Sequence, residues 1–149
     1  MLNKLDEGSG IFDRDEINLN EVIENVLKDV SLELEEKGIT TEVTMPHNAI
    51  IKGNMWLLYS IFSNLIDNTL HYAGSNISIQ INCFRVDNEF LHFSYADTGV
   101  GVDSKHLNHL FDRFYRVDKG RSRKLGGTGL GLAIVKNAIG FHQGRILAK

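Results

Sequence analysis

The stretch from Asn54 to about Tyr72 constrains the fold more than any other. Met55, Trp56, Leu57, Leu58, Ile61, Phe62, Leu65, Ile66 and Leu70 cover most of the circumference of a helix drawn through it. Such a helix must be buried on nearly every side, so the rest of the chain has to enclose it. At about 100° per residue, Ser60, Ser63, Asn64, Asp67, Asn68 and His71 fall on the one stripe left over. A solvated face is normally built from Lys, Glu and Arg, yet the only formal charge here is Asp67. Amides and hydroxyls on a mostly buried helix need partners, supplied either by neighbouring backbone or by a polar ligand. His71 has no second His or Cys at ligand spacing and reads as a packing or hydrogen-bonding histidine.

A second constraint lies downstream. Gly126, Gly127, Gly129 and Gly131 stand at the head of the apolar run Leu130-Gly-Leu-Ala-Ile-Val135, the pattern of a turn entering a helix. Glycine lets a ligand approach the backbone closely, and a fresh helix end offers unpaired N–H groups with partial positive charge, which together suit an anion. The spacing excludes two common phosphate loops. Leu132 follows Gly131 where a P-loop needs Lys, and it also occupies the third glycine position of Gly-x-Gly-x-x-Gly. Glycines that merely allow close packing at a helix start remain the alternative.

With 149 residues, 42% hydrophobic and 23% charged, the chain has the size and composition of one globular domain. Its single cysteine, Cys83, rules out an internal disulfide and sits in a strand-like run as a small core residue. No apolar run approaches the ~18 residues of a membrane span, and no signal-peptide segment opens the chain. The net charge of −3 argues against general nucleic-acid binding. It divides unevenly: between Tyr115 and Gly127, Arg116, Lys119, Arg121, Arg123 and Lys124 face only Asp118, a local +4 that leaves −7 elsewhere.

Taken in order, Met1 to Gly10 reads as the frayed end of a helix that begins elsewhere. Leu19, Val22, Ile23, Val26, Leu27, Val30 and Leu34 predict one amphipathic helix, opened by Asn18 with Glu21 three on and closed by Gly38. Ile39 to Met45 and Ala49 to Lys52 predict strands about the turn Pro46-His47-Asn48. Asn76 to Val86 and Glu89 to Tyr95 predict a hairpin across Asp87-Asn88. Asp97-Thr-Gly-Val-Gly101 follows. A carboxylate at a strand end before a tight turn can accept from a base or ribose, and it is equally ordinary turn chemistry. His106 to Phe111 predicts a short helical turn, Thr128 to about Phe141 a helix, and Arg145 to Lys149 the start of a strand.

These stretches together resemble the ATP-binding catalytic domain of two-component sensor histidine kinases, in the Bergerat-fold ATPase superfamily. Asn64-Leu-Ile-Asp-Asn68-Thr-Leu-His-Tyr72 looks like its N box, Asp97 to Gly101 its first glycine box, Phe111-Asp-Arg-Phe-Tyr-Arg116 its F box, and Gly126-Gly-Thr-Gly-Leu-Gly-Leu-Ala133 its second glycine box. Four motifs in order are far more specific than any one. The resemblance implies ATP and Mg²⁺ as cofactors. Asn68 would coordinate the metal, with Asn64, His71 and Tyr72 beside the nucleotide. Asp97 would accept from the adenine amino group, and Gly99 and Gly101 would let the base lie against backbone. Gly127, Thr128, Gly129, Leu130 and Gly131 would cradle the phosphates, with Arg116 and Arg121 as cations in a mobile lid from Tyr115 to Gly127. Arg116 would assist transfer, and Asp67 would orient the accepting histidine as a base.

Strand runs and long amphipathic helices in blocks predict an α+β two-layer sandwich, a mixed sheet with three main helices on one face and its terminal strands truncated. Residues 1–14 would be the remnant of a preceding helical dimerisation domain and residues 15–149 the ATP-binding domain. The resemblance further implies transfer of the γ-phosphoryl group to a histidine on a separate phosphoacceptor domain. It implies a response regulator downstream, and a bacterial, membrane-anchored homodimer carrying this piece on its cytoplasmic side. Three features depart from the pattern. His71 stands where Lys or Arg is usual, Thr69 stands where Ala is usual, a change expected to cost little, and no His is followed by Glu or Asp as a phosphoacceptor requires. An ATP hydrolase like the topoisomerase and chaperone relatives, and a nucleotide-sensing module without transfer, are the competing readings.

Overall fold

The computed structural model describes residues 15–87, 89–115 and 130–149. Ten elements follow one another: β1 (Asp15–Asn18), α1 (Leu19–Asp29), α2 (Ser31–Glu36), β2 (Thr40–Thr44), β3 (Ile50–Gly53), α3 (Met55–Tyr72), β4 (Ser78–Val86), β5 (Leu91–Asp97), a 3₁₀ turn (Ser104–His109) and α4 (Gly131–Phe141). The fold is α+β, with α3 lying against both α1 and α4.

The strands are more divided than one mixed sheet. β4 pairs in parallel with β2 and antiparallel with β5, giving a mixed three-stranded sheet in the order β2-β4-β5. β1 and β3, four residues each, pair only with each other among the described residues. β4 alternates as a half-buried strand should, Ile79, Ile81 and Cys83 inward, Gln80, Asn82 and Phe84 outward. Burial pushes the Cys83 thiol pKa up, consistent with a packing role. Residues 145–149 form no strand, contrary to expectation, although Ile146 packs on the core.

Caps set the helix starts. Asn18 accepts the N–H of Asn20 at 3.0 Å, and Asn54, itself buried, accepts that of Leu57 at 3.1 Å. The single helix expected from Leu19 to Leu34 is two. Val30 leaves helical geometry at φ −110° and ψ 15°, and α2 restarts at Ser31 and delivers Leu34 to the core. A β-branched residue followed by Ser is a weak point in a helix, and burial of Leu34 decides the new direction. Gly38 closes α2 as expected: its N–H reaches Glu35 O (3.0 Å) and that of Ile39 reaches Leu34 O (2.9 Å).

The core centres on α3, where Phe62, Ile66 and Ile61 are essentially inaccessible and meet Val22, Ile23 and Val26 of α1, Ile79 and Ile81 of β4, and Val135 of α4. Phe62 and Phe93 rings lie 5.2 Å apart. His142 ties the start of α3 to the end of α4. Its Nδ1 bonds Ala138 O at 2.7 Å while Nε2 accepts the Asn54 N–H at 3.1 Å. At the other end of α3, Lys37 Nζ donates to Leu70 O, a cation at a helix C-terminus. No helix among the described residues is long and apolar enough to cross a membrane.

The β4–β5 turn is held by Asp87, which accepts the N–H groups of Phe90 (2.7 Å) and Glu89 (2.9 Å) and meets His92 Nε2 at 3.1 Å. These contacts, the Phe90 N–H foremost, hold its carboxyl down from the ordinary 3.8 to about 2. A depressed carboxylate stabilises the fold above its unfolded pKa and loses that effect as pH falls through the folded one. The Glu89 and Phe90 amide resonances are therefore expected to titrate with a midpoint near 2, and a midpoint near 3.8 would contradict the geometry.

Candidate functional site

Among the described residues, the polar stripe of α3 is only partly satisfied by the chain itself. Asn64 Nδ2 donates to Ser60 O (2.7 Å) and Ser60 Oγ (3.1 Å), one turn back on its own helix. His71 Nδ1 meets Asp67 O at 2.8 Å and lies 3.6 Å from the Asp67 carboxylate, which is exposed. Asn68 is half-buried, and its amide makes no hydrogen bond among the described residues. Tyr72 is half-buried at the helix end, its ring 6.0 Å from that of His71.

Two other segments reach α3. β5 runs two residues further than expected, to Asp97, and pairs Tyr95 with Ile81 and Asp97 with Ile79, so both side chains stand on the inner face of the sheet. There Thr69, 2% exposed, donates from Oγ1 to Asp97 Oδ2 at 2.9 Å and lies 2.6 Å from the Tyr95 hydroxyl. Tyr95 also donates to Leu65 O at 3.2 Å, and burial pushes its phenol pKa far up, keeping it a neutral donor. The other Asp97 oxygen accepts the Gly99 N–H at 3.0 Å. Asp97 as a whole is exposed, so acceptor capacity remains toward solvent.

The two glycines after Asp97 serve different needs. A Cβ on Gly99 would sit 2.4 Å from Ala73 O and 2.5 Å from Ala73 Cβ, because this turn is drawn against the end of α3, where Val100 N–H bonds Ala73 O at 3.1 Å. Gly101 has φ +75° and open space around it. Gly99→Ala is expected to cost roughly 1–3 kcal/mol by overpacking, read as a lower urea midpoint. A change under ~0.5 kcal/mol would show that the turn is not held against Ala73.

The third segment is the start of α4. Its N-cap is Leu130, no side chain caps it among the described residues, and a Cβ on Gly131 would come 3.2 Å from Asn64 Oδ1. The end of the glycine run thus meets the polar stripe. Of the F box, Phe111 is half-buried and Phe114 is exposed at φ +65°. Tyr115 OH lies 2.5 Å from His106 Nδ1. Arg116, Arg121, Gly127, Thr128 and Gly129, and with them the expected lid and most of the second glycine box, lie outside the described residues, as do residues 1–14. No cluster of three or more His, Cys, Asp or Glu able to hold a metal exists among the described residues.

Residues 53–149 match the family described as histidine kinase-, DNA gyrase B-, and HSP90-like ATPase. The chain belongs to that family. Within it, the chain is 33% identical over 147 residues to the signal transduction histidine-protein kinase BaeS of Escherichia coli K12, covering 99% of this chain and 31% of BaeS. It is 47% identical over 96 residues to the phosphate regulon sensor protein PhoR of Pseudomonas aeruginosa, covering 64% of this chain and 21% of PhoR. The chain therefore spans less than a third of either curated relative. Among solved structures, the mycobacterial sensor histidine kinase MprB superposes with TM-score 0.72 at 24% identity over 87% of this chain and 80% of that one. Full-length ShkA, solved with AMPPNP, gives 0.72 at 23% over 93% of this chain and 28% of that one. At these identities the structural likeness speaks to the ATPase fold.

Tyr95 was not among the residues singled out in the sequence, and Thr69 was noted only as a small departure. Continuing the alternation Phe93, Tyr95, Asp97 to the strand end would have put Tyr95 and Asp97 on one face.

Proposed function

We propose that this chain binds ATP·Mg²⁺ along the polar stripe of α3 and delivers the γ-phosphoryl group to a histidine on a separate domain, as the catalytic module of a sensor histidine kinase. One observation carries the reading. Three segments far apart in sequence, the Asn64–Asn68 stripe, the Asp97–Gly101 turn and the start of α4 at Leu130–Gly131, converge on one helix, joined by the Thr69–Asp97 bond and the Asn64–Gly131 approach. Each offers what one part of the nucleotide needs.

In this reading Asp97 accepts from the adenine amino group, and the N–H groups opening α4 receive phosphate oxygens, the anion preference of any helix start. Asn68 fits a Mg²⁺ site. Its amide oxygen is uncommitted within the described chain, and Mg²⁺ takes one or two protein oxygens while phosphates and waters fill its shell. Held there, the metal would supply positive charge to neutralise the phosphates. Asn64, His71 and Tyr72 flank it. His71 stands in the place where Lys or Arg would bring a permanent charge to the phosphates. Gly127, Thr128 and Gly129 by sequence position extend the phosphate cradle, with Arg116 and Arg121 as its cations. Asp67, exposed beside Asn68, is available to an incoming histidine.

Residues 15–149 form the ATP-binding module and residues 1–14 belong to the preceding dimerisation segment. The intact protein is proposed as a membrane-anchored bacterial homodimer with this module on its cytoplasmic face, serving a response regulator and no nucleic acid. The test is to mix the chain with ATP, Mg²⁺ and a histidine-bearing helical hairpin. Acid-labile phosphohistidine on the hairpin is expected. Free phosphate alone would indicate a hydrolase, and neither product a nucleotide-binding module without transfer.

A further inference from the structure

Thr69 joins α3 to the Asp97 carboxylate. Proton accounting orders the contacts around it. Thr69 and Tyr95 bring one hydroxyl proton each, and the carboxylate brings none. Thr69 reaches Asp97 Oδ2 at 2.9 Å, and a charge-assisted bond to a carboxylate outweighs its 3.4 Å contact with Leu65 O. The 2.6 Å separation of the two hydroxyl oxygens then needs the Tyr95 proton between them, shared with Leu65 O at 3.2 Å. The chain of donors runs Tyr95 to Thr69 to Asp97, from a half-buried phenol through a buried hydroxyl to an exposed carboxylate.

From this geometry we infer that Thr69 is a positioning residue for base selection. Its hydroxyl, oriented by Tyr95, pins one oxygen of Asp97 while the Gly99 N–H pins the other. Both oxygens are thereby held in place, and the exposed carboxylate keeps lone pairs to accept with, no further donor to it being present among the described residues. Such an edge receives the 6-amino group of adenine and repels the 6-oxo group of hypoxanthine or guanine. A site built to hydrogen-bond one group rejects the analogue that lacks it. With Ala at this position the carboxylate would be held on one side only, by the Gly99 N–H. The inference rests on the proposed adenine contact of Asp97.

The fold should tolerate removal of the hydroxyl. In Thr69→Val the Tyr95 proton keeps Leu65 O, and the exposed Asp97 turns to water. Calorimetric titration of the 149-residue chain with ADP and with IDP, each with Mg²⁺, reads the selectivity. Thr69→Val and Thr69→Ala are expected to lower the ADP-over-IDP ratio about tenfold, the scale of one charge-assisted hydrogen bond. Tyr95→Phe should lower it about threefold, and Thr69→Ser should keep it within about twofold of the parent. Asp97→Ala is the control for the underlying contact. If Asp97→Ala collapses the ratio while Thr69→Val and Thr69→Ala leave it at the parent value, Thr69 only fills space and the inference fails alone. If Asp97→Ala itself leaves the ratio unchanged, the adenine contact is wrong and the inference falls with it. Failure of Ser to restore what Val removes would likewise overturn it.

Discussion

Replacing Asn68 by alanine is expected to abolish Mg²⁺-dependent nucleotide binding while leaving the fold intact. The two halves of this expectation have separate physical grounds. Asn68 is half-buried on α3, its side chain makes no hydrogen bond among the described residues, and alanine is the better helix former, so no hydrogen bond among them is lost. The urea midpoint should stay within ~0.5 kcal/mol of the parent. Affinity for ATP·Mg²⁺, in contrast, should fall by at least ~100-fold. Loss of partners outside the coordination shell already costs 10–100-fold in metal sites, and this oxygen is proposed as a direct ligand. Affinity for metal-free ATP should change little. A variant that binds ATP·Mg²⁺ as tightly as the parent removes Asn68 from the metal.

The largest expected effect on stability lies one and a half turns earlier on the same helix. Phe62 is fully buried, with its ring 5.2 Å from that of Phe93 across the helix–sheet interface. Phe62→Ala removes the transfer energy of a large ring and leaves a cavity between two layers that both have rigid backbones, at a cost of about 3–5 kcal/mol. Against a total of roughly 5–15 kcal/mol for a domain, that leaves little folded protein at physiological temperature. Urea unfolding of parent and variant measures it, and a loss below ~1 kcal/mol would mean that the core is not organised around α3. The contrast with Asn68, on the same helix six residues away, separates the packing face from the polar stripe.

Much of this division is readable in the sequence. The spacing of Leu58, Ile61, Phe62, Ile66 and Leu70 requires burial, the stripe stands out by its lack of Lys, Glu and Arg, and Asn18 announces its helix as a cap. What was not legible depends on contacts between distant segments. The break at Val30 is decided by where Leu34 finds the core, which no local pattern encodes. The grip of His142 on Asn54 spans 88 residues. Gly99 looked like room for a base, yet the atoms that demand glycine there belong to Ala73. Thr69 looked like a minor exchange because its partners, Tyr95 and Asp97, lie 26 and 28 residues on and meet it only through the β4–β5 register.

Three separate segments are proposed to form one nucleotide site along α3. Titrating the ¹⁵N-labelled chain with Mg²⁺ and a non-hydrolysable ATP analogue tests it most directly, because each backbone amide reports its own surroundings. The largest shifts are expected at Asn64 and Asn68, at Asp97 through Gly101 and at Leu130 and Gly131, together and with one saturation curve, while β1 and β3 remain unmoved. Shifts confined to one of the three segments, centred on β1 and β3, or absent at saturating analogue would contradict it.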